Sequence, residues 1–419
     1  MGIRKYIDEI NTQLFELSRE EKTNLVLLSL NMLIVLLGYA LLRSPVESLF
    51  IEYVGAKNSP KVWLLSIFVL SLSISIFNTF QKKIEVKSLY VGTSLFFASG
   101  MFLFSYFVHR GNYQFAYPLY IFKEVYIVLL IHLTLGFLNA SISEKLAKVV
   151  YGPFGAIGSI GGIIGGLFVG SFVKQLGTNA VMMVGVATLI ISSYLFSRLI
   201  KTSFVKKEET TKDTSPIQSL KNVKSYIFLL IGLVAVSQFV INLFSFKFNL
   251  VLESSFATSV DKAQFLGKIY SGVNTFSLLV QFLVIPFVFK RFSEGKILAG
   301  IPISFSIFIF GCLALGSPVI LAGVTFAFLK GMDYSIFSAS KELLYFVLDQ
   351  KQKYGAKYIV DMVFYRASKG FISIFLIYFQ TPILIDLMLV FCLILWIVLL
   401  IPLIRKYNKL HELKVRSTI

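Results

Sequence analysis

The stretch LVLLSLNMLIVLLGYALLRSPVE, Leu25–Glu47, decides the fold. Its first eighteen residues carry no charge, and a helix needs roughly 20 apolar residues to cross the hydrocarbon of a bilayer. The run closes on Arg43, with Glu47 four residues later. Residues four apart share a helix face, so a base and an acid stand side by side at the end of a membrane span. A charge at mid-bilayer costs about 2.5–3.5 kcal/mol on insertion scales, so such residues turn toward a cavity or toward one another.

The rest of the chain follows the same pattern. Of 419 residues, 56% are hydrophobic and 15% charged, whereas a soluble domain is roughly 45–50% apolar and about a quarter charged. The bilayer must therefore be the solvent. Apolar runs predict twelve spans. Those of the first half are Leu25–Leu42, Val62–Phe80, Leu89–His109, Tyr117–Leu138, Phe154–Val173 and Ala180–Ile200. Those of the second are Tyr226–Phe246, Phe265–Val288, Ile297–Leu315, Val319–Phe337, Tyr358–Phe379 and Ile383–Ile404. Cys312 and Cys392 fall in separate apolar runs and read as small buried hydrophobes. His109, His132 and His411 are scattered and suggest no metal cluster.

Lysine and arginine set the expected orientation. With the N-terminus inside, 28 of the 40 basic residues fall on cytoplasmic segments, six on outer segments and six within spans. That is a strong positive-inside bias with both ends cytoplasmic. The net charge of +18 is thus mostly topological, and a nucleic-acid partner is not expected. Residues 1–23 lack the apolar core of a signal peptide. There Ile3, Ile7, Ile10, Leu14 and Leu17 recur at helical spacing, as in an amphipathic helix on the inner surface. The expected domains are this segment, a six-helix half over 24–200, a cytoplasmic linker over 201–224, a second six-helix half over 225–404, and a cytoplasmic tail over 405–419.

The halves repeat each other in their polar residues. Arg43 and Lys247 are 204 apart, Lys123 and Lys330 are 207 apart, and Lys-x-x-Tyr-Gly occurs at Lys148–Gly152 and Lys351–Gly355. Two six-helix halves in parallel repeat form the major-facilitator plan, with substrate bound near the midplane. The fold class is therefore an all-α membrane protein of twelve transmembrane helices, major-facilitator-like. Its intramembrane charges are the candidate substrate-binding residues: Arg43, Glu47, Lys123, Glu124, Lys247, Lys330, Asp333, Asp361, Arg366 and Lys369. Arg43 with Glu47, Lys330 with Asp333, and Arg366 with Lys369 lie at helical spacing. Lys247 and Lys369, near span ends, can also snorkel to the headgroups. With six bases against four acids, the set suits a polyvalent anion. The run GPFGAIGSIGGIIGGLFVG places Gly158, Gly162, Gly166 and Gly170 at four-residue spacing. It lacks a P-loop lysine and reads as a small-residue packing stripe at a surface that slides during transport.

The stretch YSIFSASKELLYFVLDQKQKYGAKYIVDMV, Tyr334–Val363, resembles the signature of the bacterial and plastid ATP/ADP translocases, a nucleotide-exchange family. The matching residues are Tyr334, Ser335, Phe337, Lys341, Glu342, Tyr345, Leu348, Asp349, Lys353, Lys357 and Asp361. Gly136–Asn139, Ala147–Gly162, Phe246–Lys247, Gly267 and Gln281 agree with it. Glu124 and Lys369 match family charges, as do Arg43 and Glu47 in the first span. Val46 stands where a lysine is usual, and Asn242 or Leu243 where a glutamate is usual.

The resemblance implies exchange of nucleotides or a related phosphorylated metabolite by alternating access. The expected carrier is monomeric and sits in the bacterial inner (cytoplasmic) membrane. Two alternatives stay open: a proton-coupled carrier of another organic anion or drug-like solute, with Glu47 or Glu124 titrating, and a non-transporting protein on a carrier fold. No cofactor is expected, nor enzyme activity, since no nucleophile–base pair or metal-ligand spacing is present. A reporter fused after Ile419 or inserted within residues 201–224 should be accessible only from the cytoplasm. Access only from outside would overturn the orientation.

Overall fold

The protein is described by a computed structural model covering residues 17–142, 144–200 and 218–418. Most of the expected amphipathic segment and linker lie outside the described residues, in 1–16 and 201–217. Every regular element among the described residues is helical.

The first helix, α1 (Arg19–Tyr53), starts at a capping box. The Ser18 hydroxyl accepts from the Glu21 backbone N–H, and the Glu21 carboxylate accepts from the Ser18 N–H, which satisfies donors that a helix start leaves open. It is followed by α2 (Ser59–Gln81), α3 (Val86–His109), α4 (Ala116–Ser141) and α5 (Glu144–Ser197). Helix α5 breaks at Gly177, whose φ of 79° is open to glycine without strain. Next come α6 (Lys224–Ser255) and α7 (Ser259–Leu279), the latter running through a π-helical turn, Val280–Val284, into α8 (Ile285–Arg291). Helices α9 (Glu294–Ala314) and α10 (Val319–Met332) precede a second π turn, Asp333–Phe337, and α11 (Ser338–Leu344). A third π turn, Tyr358–Phe364, joins α12 (Gln350–Lys357) to α13 (Tyr365–Tyr378), and α14 (Pro382–Thr418) ends the order.

Among the described residues, ten helices are long and apolar enough to cross a membrane. The break at Gly177 makes two of one of them. The remaining expected span, Tyr358–Phe379, begins with a π turn and carries Asp361, Arg366 and Lys369. Large apolar side chains point outward along these helices, among them Phe68, Leu72, Ile307, Phe371 and Leu387. In water such faces would be costly, but in a bilayer they meet their own kind.

The chain forms two compact units. Among the described residues, unit 1 holds 17–55, 68–142, 144–200 and 256–275, and unit 2 holds 56–67, 218–255 and 276–418. Part of α7 therefore belongs with the first five helices. Unit 1 closes around the glycine stripe of α5, with Leu41, Val169, Val173, Val181 and Ala263 buried together. A Cβ at Gly161 would stand 2.3 Å from the Leu33 carbonyl oxygen of α1. On the α7 side, a Cβ at Gly166 would stand 2.9 Å from the Gly267 carbonyl oxygen. The stripe thus packs against two helices at backbone contact. In unit 2, α6 is flanked by α10, α13 and α14. Cys312 and Cys392 are free and buried there.

Gly166→Leu should lower thermal stability in detergent, since overpacking a tight contact costs about 1–3 kcal/mol. Gly92→Ala, where a Cβ meets nothing within 4 Å, should leave the melting temperature unchanged or slightly raised.

Candidate functional site

In unit 1 the intramembrane charges gather around Lys123 on α4, whose side chain is 0% exposed. Its Nζ lies 2.7 Å from Glu47 Oε1 on α1 and 2.9 Å from Glu124 Oε1. Arg43 reaches the same Glu47 oxygen through Nε at 3.3 Å, one helical turn away. The other Glu47 oxygen, Oε2, accepts from the Tyr270 hydroxyl of α7 at 2.5 Å. The Tyr270 ring also lies under the Arg43 guanidinium, 3.6 Å from centroid to Cζ, and the Tyr120 ring lies 3.9 Å from Lys123 Nζ. Four candidate residues thus come together as two bases and two acids, with aromatic faces taking up remaining positive field. Tyr270 was not among the expected site residues. It stands far along the sequence from Glu47 and carries no charge to mark it.

Unit 2 brings Asp333, Lys341, Asp361 and Tyr365 around a cleft of about 320 Å³. Lys341 Nζ lies 2.7 Å from Asp361 Oδ1, which also accepts from the Tyr345 hydroxyl at 3.1 Å. Burial, reinforced by the Asp361 carboxylate, raises the Tyr345 phenol above its ordinary range and keeps it a donor. Asp333 opens the second π turn and is buried. Its Oδ1 accepts from Gln238 Nε2 at 3.2 Å and its Oδ2 from the Tyr365 hydroxyl at 3.3 Å.

The expected Lys330–Asp333 pair does not close into a direct bond. A π turn is wider than an α turn and shifts the face its residues present, and Asp333 turns toward α6 and α13 instead. Lys330 and Lys341 still act on it through space. Lys247 stands in another cleft, of about 310 Å³, and binds Asp386 Oδ1 at 2.6 Å. An acid four residues into the last expected span was the available signal for that partner. Lys369 Nζ lies 5.4 Å from the Trp63 ring centroid. Arg366 is half-buried, with no hydrogen bond or ion pair to a described residue.

Solved structures similar over nearly the whole chain include three transporters. A bacterial homologue of the iron transporter ferroportin, in an inward-facing state, is 14% identical with a TM-score of 0.66, over 91% of this chain and 98% of that one. The nucleoside transporter NupG is 15% identical at 0.57, over 92% and 98%. FucP, a major facilitator superfamily transporter in the outward conformation, is 14% identical at 0.54, over 89% and 97%. The chain has the major-facilitator-like fold. Identity this low shows the fold and leaves the substrate open. No family model and no curated protein matches the chain, so the likeness to ATP/ADP translocases rests on the signature residues themselves.

Removing one partner of a buried ion pair costs roughly 3–5 kcal/mol. Glu47→Gln should therefore lower the melting temperature markedly in detergent. Adding Lys123→Met should cost less than the sum of the two changes, because the first has already broken their pairing.

Proposed function

We propose that the protein is a secondary transporter of organic phosphates, nucleotides foremost, working by exchange. The observation that carries this reading is the shared carboxylate of Glu47, held at once by Lys123 and Arg43. A phosphate offers the same charged oxygens as a carboxylate, and arginine binds either as a fork. The substrate can take the place of Glu47 on Arg43, and Glu47 re-forms its bonds when the substrate leaves. Half-buried Lys330 and Arg366 in unit 2, neither bonded to a described residue, supply further positive charge. The signature over Tyr334–Val363 supports a nucleotide over other phosphates, and the fold supports alternating access. Exchange follows from electrostatics, since a vacated set of bases is costly to carry through the bilayer without its anion.

The test is uptake into proteoliposomes preloaded with nucleoside mono-, di- or triphosphates. With no pH gradient, labelled nucleotide should enter only where an internal nucleotide can leave. Arg43→Gln and Lys330→Gln should each weaken substrate affinity roughly 10- to 150-fold, the worth of one charge-assisted contact. No uptake with any of these nucleotides would end the nucleotide reading.

A further inference from the structure

Asp333 is bound unlike Glu47, the other buried carboxylate among the described residues. It is 4% exposed, yet both its hydrogen bonds come from neutral groups, the Gln238 amide and the Tyr365 hydroxyl. Each of these can donate or accept, because an amide carries both N–H and C=O and a hydroxyl carries both a proton and lone pairs. Glu47, by contrast, is held by lysine and arginine, which only donate, besides the Tyr270 hydroxyl. The two bases around Glu47 favour the ionised carboxylate, while the neutral partners of Asp333 accept either form.

The charged and titratable groups facing Asp333 or its cleft are Lys330 on its own helix, Tyr334 in the same π turn, Lys341 on α11, Asp361 on the third π turn and Tyr365 on α13. Lys341 is engaged by Asp361 at 2.7 Å. Lys330 makes no direct bond to Asp333. A metal cation would need several oxygen ligands, and among the described residues no three His, Cys, Asp or Glu side chains are grouped to hold one. A proton needs one carboxylate oxygen and one acceptor for the resulting hydroxyl, which the Tyr365 oxygen or a turned Gln238 amide supplies. The 320 Å³ cleft lined by Asp333, Ser338, Lys341 and Asp361 gives water a way to the carboxyl.

We infer that Asp333 is a proton-binding site that couples proton movement to transport. This rests on the transporter reading above. In the step, a hydronium ion reaching the cleft breaks one O–H bond, passes that proton to a carboxylate oxygen of Asp333 and leaves as water, and the Tyr365 hydroxyl turns from donor to acceptor. No other covalent bond changes, and release reverses the step. Protonation removes the carboxylate nearest to Lys330 on its own helix and raises the local charge by one. Proton and anion therefore favour each other's binding, and net uptake of an anion with a proton becomes available beside exchange. The site also moves the titrating role away from Glu47 and Glu124.

The test follows the infrared carbonyl band of a protonated buried carboxyl in purified wild type across pH, beside Asp333→Asn and Tyr365→Phe. A band should appear on acidification in wild type and be missing in Asp333→Asn. In Tyr365→Phe, which loses a donor to the ionised form, the band should persist to higher pH. In proteoliposomes, an inside-alkaline gradient should accelerate nucleotide uptake by wild type, and that acceleration should be lost in Asp333→Asn compared with the same variant without a gradient. A wild-type band that survives in Asp333→Asn, or its absence at every pH, overturns the inference. So does acceleration by a sodium gradient in place of a pH gradient. If wild type moves no nucleotide, the substrate reading fails, while the infrared band still judges the proton site.

Discussion

A fully buried lysine ammonium in a membrane protein must be neutralised within the protein, and the neighbourhood of Lys123 is organised by that constraint. Two carboxylates reach its Nζ, one from α1 and one from the next residue of α4. Glu47 is drawn in turn toward Arg43, and its second oxygen takes the Tyr270 hydroxyl from α7. Making these bonds, each no longer than 3.3 Å, requires side chains of α1, α4 and α7 to meet. The glycines of α5 make that approach available, since side chains at Gly161 or Gly166 would meet the backbone of α1 or α7. The packing stripe and the charge cluster are thus two parts of one arrangement.

Unit 2 treats its charges differently. Lys341 and Asp361 are paired, as are Lys247 and Asp386, but Asp333 is held by neutral partners. All three π-helical turns lie in this unit among the described residues, and two of them carry Asp333 and Asp361. Such turns are frequent at functional sites, because the wider turn re-aims a side chain that a regular helix would bury against its neighbour. Under the proposed function, unit 1 presents the ion pairs that a phosphate would replace, and unit 2 the carboxyl that would change protonation.

The membrane fold was legible because apolar length and charge placement are local properties. The Arg43–Glu47 pair followed from helical spacing alone, and the glycine stripe read directly as packing. The partners were less legible. Tyr270 is 223 residues from Glu47, and Gln238 is 95 from Asp333, so tertiary packing joins groups that no local pattern connects. The same limit explains Lys330 and Asp333, whose three-residue spacing implied a pair in a regular helix that the π turn removes. Asp386 was within reach, since it is the acid of the last expected span and Lys247 is a base that a membrane span must neutralise.

The central claim is that buried bases recognise the phosphates of the substrate, and it is tested most directly by calorimetric titration of purified wild type. Adenosine and its mono-, di- and triphosphates would be compared at low and high salt. Affinity should rise with phosphate number, with adenosine weakest. Salt should weaken binding only modestly, because partly buried ion pairs are screened less than exposed ones. Equal affinity for adenosine and its triphosphate would contradict the account.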